Sequence, residues 1–174
     1  MVPMSLRILA PPTSDTSEAP SLVLQCDARK YMFNVGEGTT RVSAQHRASN
    51  MRVDHIFLTR VASETMGGIP GLLMTLADGG RGSIDIHAPP NLLYALAATR
   101  LYARRDTMAL NAHEIEVREP HVCYQDEYVQ IHSVPLVPAQ HRSLYTDIAE
   151  KGPALDVKAQ LSSPKALRGS QAKA

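Results

Sequence analysis

The histidines are the side chains of this 174-residue chain best equipped for chemistry, and there are seven. Neutral imidazole ligates metals, and its proton equilibrium lies near neutrality. A metal site needs converging ligands, which a sequence signals through spacings such as His-x-His or i,i+4 on a helix. His46, His55, His87, His113 and His121 show neither spacing among themselves, so they read as surface or core-edge residues. His132 and His141 flank a predicted strand end and read as hydrogen-bonded strand-end residues. Cys26 and Cys123 stand far apart without a Cys-x-x-Cys pair. That pattern supports neither a disulfide framework nor a cysteine zinc knuckle, and it fits a reducing compartment.

Glycines and arginines supply the other candidates. Gly36-Glu37-Gly38-Thr39-Thr40 follows directly on an apolar stretch. A Gly-x-Gly turn between strand and helix is either an ordinary sharp turn or a phosphate cradle, but the GxGxxG spacing and the Lys-Ser/Thr of a P-loop are absent. Gly67, Gly68 and Gly71 open a second helical stretch. Arg100, Arg104 and Arg105 near the end of a predicted helix form the only basic cluster the sequence places in the folded body. They suit RNA phosphates, and they equally suit the negative end of a helix dipole. Lys151 and Lys158, with Lys165, Arg168 and Lys173, give the carboxy-terminal region a positive character that fits weak phosphate binding or a solvated tail.

These residues need elements to position them. Strands are predicted at 5–10, 21–26, 30–35, 54–59, 83–88, 114–118 and 128–134, from alternating or continuous apolar runs. Helices are predicted from Thr39 through Arg47, over Ile69–Ala77 with Pro70 tolerated in the first turn, and from Asn91 to about Arg105. Asp27-Ala28-Arg29 is a predicted tight turn. Strands and helices mix in the manner of an α/β layered domain, with a mobile tail over 161–174. At 44% hydrophobic residues the chain can bury a core, which excludes wholesale disorder. A net charge of +1 gives no charge-driven nucleic-acid or membrane partner. No apolar run approaches the ~20 residues of a membrane span, and no targeting signal is evident near the amino terminus.

Three segments, YMFNVGEGTTR (31–41), IFLTRVASETMGGIPGLLMTL (56–76) and IHAPPNLLYAL (86–96), resemble in order and spacing the tRNase Z family of the metallo-β-lactamase superfamily. That family carries LFDCGEGTQR, IFxTHxHxDHxxGLPGLL and IYGPPGL. The resemblance covers roughly residues 4–160 and implies a partial αββα sandwich, a mixed sheet with outer helices. Where the catalytic family has His-x-His-x-Asp-His, this chain has Arg60-Val61-Ala62-Ser63-Glu64-Thr65, and Asn34 replaces the Asp of FDCGEGT. In the family those ligands hold two zinc ions that activate a water against a phosphodiester. Arg60 repels a cation, Ala62 offers no ligand atom, Thr65 is a poor ligand, and Glu64 alone cannot hold a metal.

This pattern of losses is similar to the amino-terminal, non-catalytic half of long-form tRNase Z, whose carboxy-terminal half holds the zinc. Residues 150–159 resemble the family's E-K-x-x-G-x-L-D-x-x-K-A stretch at the start of its tRNA-gripping arm, and the Gly/Pro-rich continuation is not found in 161–174. The resemblance therefore implies an incomplete domain over 1–160, cut within the arm, with an unpaired sheet edge and an uncovered apolar face. It implies a part in tRNA 3′-end processing, with no catalytic or metal residues in this chain. Gly36, Glu37, Gly38, Thr39, Gly67, Gly68 and Gly71 would be scaffold, and Arg100, Arg104, Arg105, Lys151 and Lys158 would be RNA contacts. The implied partners are a zinc-bearing catalytic half and precursor tRNA, in nucleus or mitochondrion, with no membrane. A free-standing RNA- or partner-binding pseudo-hydrolase, and a truncated product without independent function, stand as alternatives.

Overall fold

The computed structural model describes residues 3–10, 19–27, 29–45, 52–100, 103, 107–116, 119–136 and, as backbone alone, 154–160. Two compact units divide the chain, Met1–Glu116 and Val117–Ala174. The first is a six-stranded sheet in the order β1-β2-β3-β4-β5-β6, built from Met4–Ala10, Ser21–Cys26, Arg29–Phe33, Val53–Phe57, Ser83–Ala88 and Ala109–Glu114. The β1–β2 and β2–β3 pairs are antiparallel, and β3 to β6 run parallel. Helix α1 (Thr39–Gln45) joins β3 to β4, α2 (Ser63–Met66) and α3 (Ile69–Asp78) join β4 to β5, and α4 (Leu92–Thr99) joins β5 to β6.

Both faces of this sheet are apolar, as expected where parallel strands sit in the middle of a layered fold. On one face Met32, Ile56, Ile84 and Ile86 pack with Ile69, Leu72, Leu73 and Leu76 of α3 and with Leu92 and Leu96 of α4. The α3 positions recur at helical spacing, so one stripe of the helix faces the sheet. On the other face Leu24, Tyr31, Phe33, Phe57 and His87 are buried. At the β1 edge, however, Met4, Leu6 and Ile8 are 48%, 62% and 64% exposed.

The second unit is a three-stranded antiparallel sheet, β7 (His121–Gln125), β8 (Gln130–Leu136) and β9 (Ala154–Gln160). Asp126 shapes the turn between β7 and β8. Its Oδ1 accepts from the amides of Tyr128 at 2.8 Å and Val129 at 2.9 Å.

Most predicted elements are present within a residue or two of their expected ends. The exceptions are the helix expected to reach about Arg105, which closes at Thr99, and the strand expected at 114–118. The strand is Ala109–Glu114, paired in parallel with β5 from Ser83↔Ala109 to Ala88↔Glu114. The alternation of Glu114-Ile115-Glu116-Val117 favours the later position, but the ladder with β5 ends where β5 ends. Ile115 still donates its amide to the Ala88 carbonyl at 2.8 Å. Strands β7 and β9 were not expected. Helix α4 closes at Thr99 with Arg100 as its C-cap, and residues 46, 47, 101, 102, 104 to 106 and 161–174 lie outside those described.

A backbone crossing locks the carboxyl ends of β3 and β4 to the helices that follow. Val35 donates its amide to the Thr65 carbonyl at 2.7 Å, and Gly68 donates its own to the Val35 carbonyl at 2.9 Å. The two segments run so close that a Cβ on Gly68 would fall onto the Gly36 carbonyl oxygen. Gly71, one turn on, has nothing within 4 Å of such a Cβ. We expect Gly68→Ala to destabilise the chain by roughly 2 kcal/mol or more through backbone displacement, and Gly71→Ala to be neutral or stabilising by up to ~1 kcal/mol through helix propensity. Urea unfolding of the two variants checks this; equal midpoints would contradict the crossing.

Candidate functional site

Asn34 follows directly on β3, and its backbone takes the left-handed conformation at φ 55°. Its short polar side chain suits that region and also staples two strand ends together. Asn34 Oδ1 accepts from the Thr59 amide at 2.9 Å and from the Thr59 hydroxyl at 3.1 Å, and its Nδ2 donates to the Pro20 carbonyl at 3.4 Å. An aspartate here would keep the acceptor and lose the donor.

The Gly36–Thr39 turn closes on itself. Gly38 sits at φ 76°, where a side chain is strained. The buried Thr39 hydroxyl donates to the Gly36 carbonyl at 2.6 Å and lies 3.1 Å from Ser21 Oγ. Ser21 Oγ in turn accepts from the Gly36 amide at 3.2 Å. The Gly36 amide is taken by Ser21 of β2 and the Thr39 amide by the Gly36 carbonyl, and Glu37 is exposed. Two of the turn's amides are thereby committed and a carboxylate stands beside them, which suits an ordinary turn better than a phosphate cradle.

The loop after β4 carries Arg60, Ala62, Glu64 and Thr65 at the positions where the resembled family places zinc ligands. Thr65 is fully buried. Its hydroxyl lies 2.6 Å from the Arg60 carbonyl oxygen and 3.0 Å from that of Ala62. The loop is thus tied to its own backbone. Arg60 is exposed and carries the wrong charge for a metal ligand. These residues do not fit a zinc ion, and among the described residues no group of three His, Cys, Asp or Glu side chains is placed to hold a metal.

The structure brings together three histidines that the sequence keeps 26 to 58 residues apart. His55 on β4, His87 on β5 and His113 on β6 lie side by side on the sheet face opposite α3. His87 Nε2 is 3.4 Å from His55 Nδ1. The His87 ring stacks on Phe57 and on His113, each at 4.6 Å between centroids. His113 Nε2 pairs with Asp85 Oδ1 at 2.9 Å. His87 is 6% exposed, and its pKa is lowered to about 4, first by burial and then by His113 and His55, with Asp85 opposing. Burial, the Asp85 contact and the His87 stack confirm core-edge residues, but as one assembled row. Only strand register could have revealed it.

The remaining expected site residues are dispersed. Arg100 is exposed at the end of α4. Arg104, Arg105, Lys151 and His141 lie outside the described residues, and Lys158 is placed by its backbone alone, opposite His132. His132 bonds Gln130 Oε1 at 3.2 Å. A different basic grouping, missed in the sequence, forms where Arg7 and Arg52 come near enough to Lys30 to lower its pKa, after the larger effect of burial. The Arg100 region is therefore not the only basic cluster of the folded body.

The profile of the tRNase Z endonuclease family matches residues 7–68, which include the Gly36–Thr39 turn, the Arg60–Thr65 loop and the crossing at Gly68. Over 146 residues the chain is 39% identical to the mitochondrial tRNAse Z TRZ4 of Arabidopsis thaliana, covering 74% of this chain and 15% of that protein. It is 31% identical over 139 residues to the human zinc phosphodiesterase ELAC protein 2, covering 79% and 16%. The chain thus spans about a sixth of the length of these relatives. Among solved structures, a long-form RNase Z from yeast superposes with a TM-score of 0.66 at 27% identity, over 77% of this chain and 18% of that one. Human short-form tRNase Z superposes with a TM-score of 0.69 at 19% identity, over 90% and 63%. The fold is that of part of the metallo-β-lactamase α/β sandwich.

The histidine row makes stability depend on pH. An unfolded histidine takes up its proton near pH 6.5, whereas folded His87 resists until about pH 4. The His87 contribution is complete above pH 6.5, declines as the pH falls through that window, and stops changing below the folded value. The loss across the window is on the order of 3 kcal/mol. In His87→Phe, which preserves an apolar ring between Phe57 and His113, urea midpoints measured from pH 7.5 to 4 should fall less steeply than in the unsubstituted chain. Identical pH profiles would disprove the assignment.

Proposed function

The chain belongs to the tRNase Z family, and we propose that it serves tRNA 3′-end processing as the non-catalytic partner of a zinc-bearing catalytic half, supporting that half and helping to hold precursor tRNA. The observation that carries this reading is the self-tied Arg60–Thr65 loop. The fold of the family is retained, while the ligand positions hold Arg60, Ala62, Glu64 and Thr65, the last with its hydroxyl spent on the loop's own carbonyls. A chain that keeps the scaffold without the ligand set suits support and binding better than hydrolysis.

The exposed row of Met4, Leu6 and Ile8 on the edge strand β1 supports association, because apolar side chains grouped at a sheet edge gain from being covered. The Arabidopsis relatives and the Drosophila relative are named as mitochondrial proteins, which fits action in the mitochondrion, with the nucleus as the second compartment. Among the described residues no helix is long and apolar enough to cross a membrane.

The test is cleavage of a precursor tRNA transcript carrying a 3′ trailer. The chain alone, with zinc supplied, should release no trailer. Mixed with a tRNase Z catalytic half, it should raise the rate or lower the KM of that half. Trailer release by the isolated chain, abolished by a chelator, would overturn the reading, as would a catalytic half indifferent to its presence.

A further inference from the structure

Because β3, β4, β5 and β6 are parallel, the sheet of the first unit has two chemically distinct ends. The carboxyl ends lead into the Gly36–Thr39 turn, the Arg60–Thr65 loop and the segment after β6. There the described charged residues are Glu37, Glu64, Glu114 and Glu116 against Arg41 and Arg60, so that end is net negative. The amino-terminal ends receive the β2–β3 turn, the segment before β4, and the connections from α3 and α4. Among the described residues, Arg29, Lys30, Arg52, Arg81 and Arg100 gather there against Asp27, Asp54 and Asp78, and Arg7 stands farther along the sheet on β1, across Val23 from Met32, near enough for its charge to act on Lys30. That end is net positive.

Register and hydrogen bonds give the positive end its internal order. Lys30 pairs in register with Val53, which sets Arg52 beside it. Asp54, the carboxylate at the centre, is committed through both oxygens. Oδ1 takes the Arg81 guanidinium at 2.6 Å, and Oδ2 accepts the backbone amide of Lys30 at 3.0 Å. Arg7 and Arg52 are exposed. Burial lowers the Lys30 pKa most, and the fields of Arg7 and Arg52 lower it further, against a smaller opposing effect of Asp54. Like charges held together on a rigid sheet end repel one another, and that repulsion is relieved by a bound polyanion, which also releases its own counterions.

We propose that the basic surface around Lys30, with Arg52 at the amino-terminal strand ends and Arg7 on the edge strand β1, binds the sugar–phosphate backbone of RNA. Lys30 and Arg52 lie at the end of the sheet opposite the Arg60–Thr65 loop. The identity of the polyanion, precursor tRNA, rests on the tRNA-processing reading. Recognition there is by charge and carries no base specificity.

The probe is a fluorescein-labelled precursor tRNA transcript, titrated with the full chain from 50 to 200 mM salt. Arg7→Gln with Arg52→Gln should weaken binding about tenfold and lower the slope of log affinity against log salt by roughly one to two. Arg41→Gln with Arg60→Gln, at the opposite end, should leave both unchanged. Unfolding midpoints of the two double variants establish that each is folded. Equal affinity and slope for the Arg7/Arg52 variant, an equal loss from the Arg41/Arg60 variant, or no RNA binding by the unsubstituted chain would each overturn the proposal. Stimulation of a catalytic half, followed with the same proteins, separates the two readings. If stimulation persists without RNA binding, only the phosphate surface fails; if it is absent with the unsubstituted chain, the supporting role fails as well.

Discussion

The close passage of Gly68 over Gly36 is the constraint on which the first unit depends. Two backbone hydrogen bonds, Val35 to Thr65 and Gly68 to Val35, join segments that leave adjacent parallel strands and would otherwise diverge. Their separation allows no side chain at 68, so packing here is set by main chain against main chain. Helix α3 starts at the next residue, and its stripe of Ile69, Leu72, Leu73 and Leu76 meets the sheet from that fixed origin. Displacing the crossing would move the whole stripe, and a close-packed core tolerates such movement poorly.

Around this crossing the chain satisfies its polar groups locally. Asn34 bridges the ends of β3 and β4 through Thr59, Thr39 closes the turn before α1, and Thr65 ties the loop before α2. Each is a small side chain bonded to nearby main chain. In a metal-binding loop the ion would supply this cohesion by drawing the ligands together. Here hydroxyls and an amide supply it, which explains how the loop holds its path with an arginine and an alanine at ligand positions.

Much of the first unit was legible in the sequence because its signals are local. Continuous apolar runs mark β4, clean alternation marks β5, and helical spacing together with Pro70 marks α3. The turn at Gly36–Thr39 was legible as geometry, though its network with Ser21 was not, since a serine fifteen residues upstream carries no mark of its role. The start of β6 was misplaced because a polar edge strand takes its limits from its neighbour. The histidine row and the basic strand ends were invisible for one reason: both exist only across strands, where register decides who meets whom. Residues 104, 105, 151 and 161–174, on which the expected RNA contacts and tail depended, lie outside the described structure.

The order of strands in the larger sheet is also the order in which they are synthesised. Each strand from β2 to β6 pairs with the one made immediately before it, and none waits for a partner further along. Loop closures are therefore short for the antiparallel pairs and limited to one intervening helical connection for the parallel ones. The sheet can grow at a single edge as the chain leaves the ribosome. At every stage the newest strand is an open edge that the next strand to emerge covers, while β1 stays the opposite edge.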